Sequence, residues 1–199
     1  MSPERPAPRK SWGGRRQAWR RRNLNRMERT EIEQAIRSAF AGVRLGKGVS
    51  LQQARIIDDR RDDFSRAEFD ALTRLEVTDD WTAIPEDELV NDCLAHLDAD
   101  GLRYYLPALM LWLLDHYNDA DLRSNPEAEM TAIGTISALA PRKSMRWRWD
   151  SLSRDQLTAI ASYLEALPRL VDLDDEDTML VARSLESNWA QFLPDGPRP

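Results

Sequence analysis

The groups in this 199-residue chain with most chemistry to offer are one cysteine, two histidines and 34 aspartates and glutamates. Cys93 and His96 stand at i and i+3, a spacing that sets a thiol and an imidazole side by side on one helix. Such a pair can form an activated nucleophile or half of a zinc site. A zinc site needs more ligands, and His116 is the only other histidine. Cys93 falls on the apolar side of its predicted helix, where a free thiol behaves as a small hydrophobe. Reactive thiols want exposure and a basic setting, so core packing is the stronger reading.

Other arrangements weaken in the same way. Gly42 to Gly48 resembles a phosphate loop, but it is one residue short and follows a predicted helix instead of a strand. It reads better as a mobile glycine-rich connection. Asp98-Ala99-Asp100-Gly101 opens like a calcium loop without the later carboxylates, and helix capping explains it better. The acidic clusters Asp58–Asp63 and Asp172–Asp177 could hold a divalent cation, but no Glu-x-x-His accompanies them, leaving solvated surface as the default. Arg146-Trp147-Arg148-Trp149 could stack on bases. In an acidic body, both tryptophans are expected to anchor inward and both arginines to pair with carboxylates. No catalytic, cofactor-binding or metal-ligating residue is assigned, and no cofactor is expected.

The elements that position these groups read as helices. Thr30-x-x-Glu33, Ser65-x-x-Glu68 and Ser153-x-x-Gln156 are capping-box patterns, and Ser50 can cap a further helix. Apolar residues recur at helical spacing behind each: Ile32, Ile36 and Phe40; Leu51 and Ala54; Phe69 and Leu72; Leu157, Ile160 and Leu164. Pro85 and Asn125-Pro126 suit helix starts, the first leading through Leu89, Val90, Cys93, Leu94 and Leu97. Tyr104 to Leu114 is the longest uncharged apolar run and marks the central core helix, which Pro107 either kinks or begins anew. A last helix is expected from Thr178 to about Gln191. No segment alternates long enough to suggest a strand.

Charge divides the chain. Residues 1–26 carry nine Arg or Lys and one Glu, a charge of +8, so with a net −6 the remainder carries −14. The leader holds Pro3, Pro6, Pro8, Gly13 and Gly14 and little apolar surface, so disorder is expected. It could bind nucleic acid through phosphate contacts, it could be an organelle transit peptide, which scarce Ser and the early prolines oppose, or it could lie ahead of a true start at Met27. A helical domain is expected over 27–193 and a disordered tail over 194–199. No segment approaches the ~20 apolar residues of a membrane span, so no membrane association is expected. A single Cys suits a reducing compartment, and the cytoplasm is the expected location.

Ala39-Phe40, Asp80-Trp81, Tyr105-Leu106-Pro107-Ala108 and the capped segment Ser153 to Leu164 follow one another in an order that resembles an uncharacterised bacterial domain-of-unknown-function family. The resemblance covers about residues 30–167 and implies no activity and no site residues. The expectation is therefore a single compact all-α domain behind a basic leader. A non-enzymatic interaction or accessory protein with an acidic surface, such as an inhibitor of a basic toxin, is the first functional reading. Alternatives are an enzyme using carboxylates with His96 or His116, and nucleic-acid binding through the leader if residues 1–26 are translated.

Overall fold

The computed structural model describes residues 12–59, 65–72, 79–90, 93–140 and 143–194, with eight α-helices and no strand among them. At the centre lies α5 (Ala99–His116), in which every side chain from Tyr104 to Met110 is buried, along with Trp112, Leu113 and Leu114. A helix so apolar on all sides can exist only inside protein. Pro107 sits within it and begins no new helix. The ring removes one backbone donor, and the surrounding core offsets that loss.

Around it stand α1 (Trp12–Ala39), α2 (Leu51–Asp58), α3 (Arg66–Leu72), the single turn α4 (Glu86–Leu89), α6 (Pro126–Leu139), α7 (Arg154–Leu170) and α8 (Asp175–Ser184). The amphipathic face of α1 packs mainly on α7, while α6 lies against α5 and α8. Trp81 plugs into the end of α1, its indole Nε1 donating to the Phe40 carbonyl at 2.8 Å. Thus the Ala-Phe and Asp-Trp elements of the sequence meet in space.

Most local signals act as expected. Ser50 with Gln53, Ser65 with Glu68, and Ser153 with Gln156 form reciprocal capping boxes. Asn125 caps α6 with Pro126 in its first turn. Asp98 caps α5, its Oδ1 accepting from the Gly101 N–H at 2.8 Å and also from the Val49 N–H at 3.0 Å. The second bond ties the glycine-rich connection to the first turn of α5, so that segment is anchored instead of loose. Val43 and Leu45 are buried within it, and Gly42 and Gly46 take positive φ of 72° and 61°.

Several expectations change. Thr30 does not cap: α1 runs continuously through Met27, and the Thr30 hydroxyl donates to the Arg26 carbonyl at 3.0 Å. Arg26, Met27, Glu28 and Arg29 are good helix formers, so nothing stops the helix ahead of Thr30. The run from Leu89 to Leu97 is not one helix, because α4 ends at Leu89, Val90 is extended, and Leu94–His96 is a separate 3-10 turn. The last helix starts earlier, at Asp175 behind an Asp174 cap, and widens into a π-turn over Leu185–Trp189. Trp149 is buried but Trp147 is half exposed. The helix α7 continues through Pro168 and ends at Leu170. The disorder expected over 1–26 gives way to helix from Trp12, where α1 begins and takes in Gly13 and Gly14, while residues 1–11 and 195–199 and most of the Asp58–Asp63 cluster lie outside the described residues.

Candidate functional site

The two histidines occupy separate networks. Asp58, the last residue of α2, lies between Cys93 and His96: its Oδ1 is 2.8 Å from His96 Nε2, and its Oδ2 is 3.8 Å from Cys93 Sγ. A nucleophilic pair needs the imidazole against the sulfur, whereas here Nε2 is engaged by the carboxylate. Cys93 is in no disulfide and is only 3% exposed, which suits a small core residue.

His116, in the last turn of α5, is held on both sides. Its Nε2 is 2.7 Å from Glu86 of α4 and its Nδ1 is 2.7 Å from Asp119, while its ring leans on Trp112 at 5.2 Å between centroids. With both ring nitrogens occupied, the imidazole acts here as a bridge between acidic groups.

Those groups belong to a larger assembly at one end of the molecule. Arg123 reaches Glu129 of α6 at 3.0 Å and Asp174, the α8 cap, at 2.9 Å. Asn118 exchanges hydrogen bonds with the backbone of Asp172, donating to its carbonyl at 3.1 Å and accepting from its N–H at 2.9 Å. Tyr117 donates its hydroxyl to Asp177 at 2.6 Å and accepts the Asp174 N–H at 3.1 Å. The C-terminus of α5 and the N-termini of α4, α6 and α8 thereby converge, and each brings carboxylates. We call this region the acidic pole.

Its inner layer is buried and its outer layer is not. Burial, with the bond to Asp177, pushes the Tyr117 hydroxyl up to about 12, and burial pushes the Asp177 carboxyl above its ordinary value. Asp119, Asp121, Asp172, Asp175 and Glu176 stay exposed. Asp172–Asp177 is not simply solvated surface, because Asp174 and Asp177 are structural, and nothing local in the sequence marks Tyr117 or Arg123 as their partners. The Asp-x-x-Asp spacing of a helix cap was the one local signal available.

Replacing Tyr117 with Phe removes the hydroxyl that donates to Asp177. We expect a loss of about 1–3 kcal/mol in urea unfolding. The Asp177 carboxyl is expected to titrate still higher by NMR, since the lost donor favours its charged form. An unmoved Asp177 titration would show that this hydroxyl bond contributes nothing.

The remaining sequence candidates are accounted for locally. Asp98 is a cap. Arg148 donates to the Ala95 carbonyl at 2.6 Å and pairs with no carboxylate among the described residues, contrary to expectation. Among the described residues no three His, Cys, Asp or Glu side chains are placed to hold a metal ion, and no helix is long and apolar enough to cross a membrane.

Comparison with known proteins adds one finding. A family described as a "Family of unknown function (DUF6714)" matches residues 28–193. No curated protein and no solved structure matches.

Proposed function

We propose, from the premise that the chain belongs to the DUF6714 family of unknown function, that the protein is a non-enzymatic accessory protein of the cytoplasm whose acidic pole binds a basic protein partner. The observation that carries this reading is the placement of Asp115 and Asp119 at the C-terminal end of α5. A helix C-terminus already bears partial negative charge, so carboxylates there cost stability. Capping and dipole effects account for the acids at the starts of α6 and α8, but not for these two. The structure offsets them with Arg29, which bonds both the Leu114 carbonyl and Asp115, and with His116. Groups placed against their own stability are candidates for binding.

A concentrated negative field also speeds encounter with a cationic partner and repels nucleic acid and anionic membranes. Support for the histidine–carboxylate enzyme is weaker, because His96 and His116 answer to different carboxylates in different elements.

The test reverses charges that support no fold contact. Asp121, Asp172 and Asp175 are exposed, and their side chains make no hydrogen bond or ion pair among the described residues. The immobilised chain is expected to retain one or a few basic proteins at low salt and to release them as ionic strength rises. The triple variant Asp121→Lys, Asp172→Lys, Asp175→Lys is expected to weaken that binding at least about tenfold. Equal retention of the same proteins by both forms would overturn the reading.

A further inference from the structure

A second surface has the opposite character. Between α6, α8 and the 3-10 segment Lys143–Trp149 runs a groove of about 650 Å³, lined by Leu94, Met130, Ile133, Met145, Leu180 and Arg148 among others. That volume lies within the ~300–1,000 Å³ of small-molecule sites. Met130 and Ile133 follow each other at i, i+3 on α6 and remain 45% and 39% exposed, so the wall of the groove is apolar surface open to water. Gly134 leaves room for Leu94 to form the floor: a Cβ there would stand 3.1 Å from Leu94 Cδ1.

The guanidinium at this groove contacts no carboxylate among the described residues. Arg29, Arg44, Arg66, Arg123 and Arg169 each contact a carboxylate. Among the described residues, Arg148 has only the Ala95 carbonyl on one nitrogen and the Trp147 ring at 5.6 Å, and its Nε is buried without a partner. Burial holds it below the ordinary arginine value, with only the field of Asp98 opposing. Trp149 lines the same groove at 9% exposure, and its indole Nε1 is likewise buried and unpartnered. A half-buried cation with no carboxylate in contact, beside an apolar groove, leaves a charge for a ligand to meet.

We propose that this groove binds a small molecule with an apolar body and a single carboxylate, the carboxylate pairing with Arg148 and the body lying along Met130 and Ile133. One guanidinium with no contacting carboxylate balances one negative charge and offers paired donors to a planar acceptor. A phosphate dianion would leave charge unmet. The site is separate from the acidic pole and stands or falls independently of it.

Decanoate and decan-1-ol serve as probes, sharing a tail and differing in charge. Calorimetric titration of the full chain below micelle-forming concentrations is expected to show saturable, one-to-one decanoate binding, with the alcohol at least about tenfold weaker. Decanoate is expected to shift the methyl resonances of Met130 and Met145. Arg148→Met is expected to abolish the preference for decanoate over the alcohol, and Arg148→Lys to keep part of it. Met130→Glu, at an exposed position that folding tolerates, is expected to weaken decanoate by repulsion while leaving the unfolding midpoint unchanged. The proposal is overturned if decanoate does not saturate, if the alcohol binds equally well, or if folded Arg148→Met retains the preference.

Discussion

Gly101→Ala is expected to destabilise the protein by about 2–4 kcal/mol, although alanine is the better helix former by about 1 kcal/mol. The two effects have opposite signs, and the geometry decides between them. A Cβ at Gly101 would lie 2.3 Å from the Val49 carbonyl oxygen and 3.0 Å from Asp98 Oδ1. The nearer atom is backbone, so it cannot swing aside as a side chain would. Moving the loop away also breaks the bond from the Val49 N–H to Asp98, leaving a partly buried donor unmet. From the other side, a Cβ at Gly48 would stand 2.5 Å from the Gly101 nitrogen. Two chain segments cross here with no space for a side chain on either. Against a typical total of about 5–15 kcal/mol, the loss is large. Urea unfolding measures it, and faster amide exchange at Val49 and Gly101 is expected alongside. A variant as stable as the parent, or more so, would mean that the crossing is looser than described.

Trp189→Ala is expected to cost about 3–5 kcal/mol, the range for deleting a buried aromatic. Trp189 is 2% exposed and meets Trp149 edge-on at 5.0 Å between centroids. Its role extends beyond packing. Leu139 ends α6, where carbonyls have no partner within the helix. The Leu139 carbonyl accepts from the Ser184 hydroxyl at 2.6 Å and from Trp189 Nε1 at 2.7 Å. The π-turn over Leu185–Trp189 carries the indole to this position, an irregularity with a purpose. Trp189→Phe keeps most of the packing and loses the donor, so an intermediate loss separates the two contributions. Equal losses for both variants would assign the whole effect to the hydrogen bond. A near-UV circular dichroism spectrum unchanged in Trp189→Ala would argue against the described Trp149–Trp189 pair.

The fold was legible where the signal is local. Ser50, Ser65, Asn125 and Ser153 start helices because a cap needs only its own next three residues, and the run from Tyr104 to Leu114 could be nothing but core. Local signals failed where context overrides them. Thr30 has a cap's pattern, yet a cap works only if the chain before it leaves the helix, and Arg26 to Arg29 do not. Leu89 to Leu97 has helical spacing because most of its apolar residues are buried, but burial does not require that the chain between them be helical. The acidic pole was illegible for another reason. Tyr117, Arg123, Asp174 and Asp177 come from elements up to 60 residues apart, and only the packing of α5, α6 and α8 makes them neighbours. Arg148 was misread because composition predicts an acidic partner on average, while its groove supplies none among the described residues.

The packing of α1 on α7 also governs how the chain comes into being. When α1 emerges during synthesis, its main support is still unmade, since α7 follows much later and ends at Leu170. At about 5–20 residues per second, the apolar stripe of Ile32, Ile36 and Phe40 waits roughly ten seconds for its partner. Joining elements so far apart in sequence also carries a large loop-closure entropy, so α1 is expected to dock late. Until then the nascent chain exposes a ready surface for chaperones.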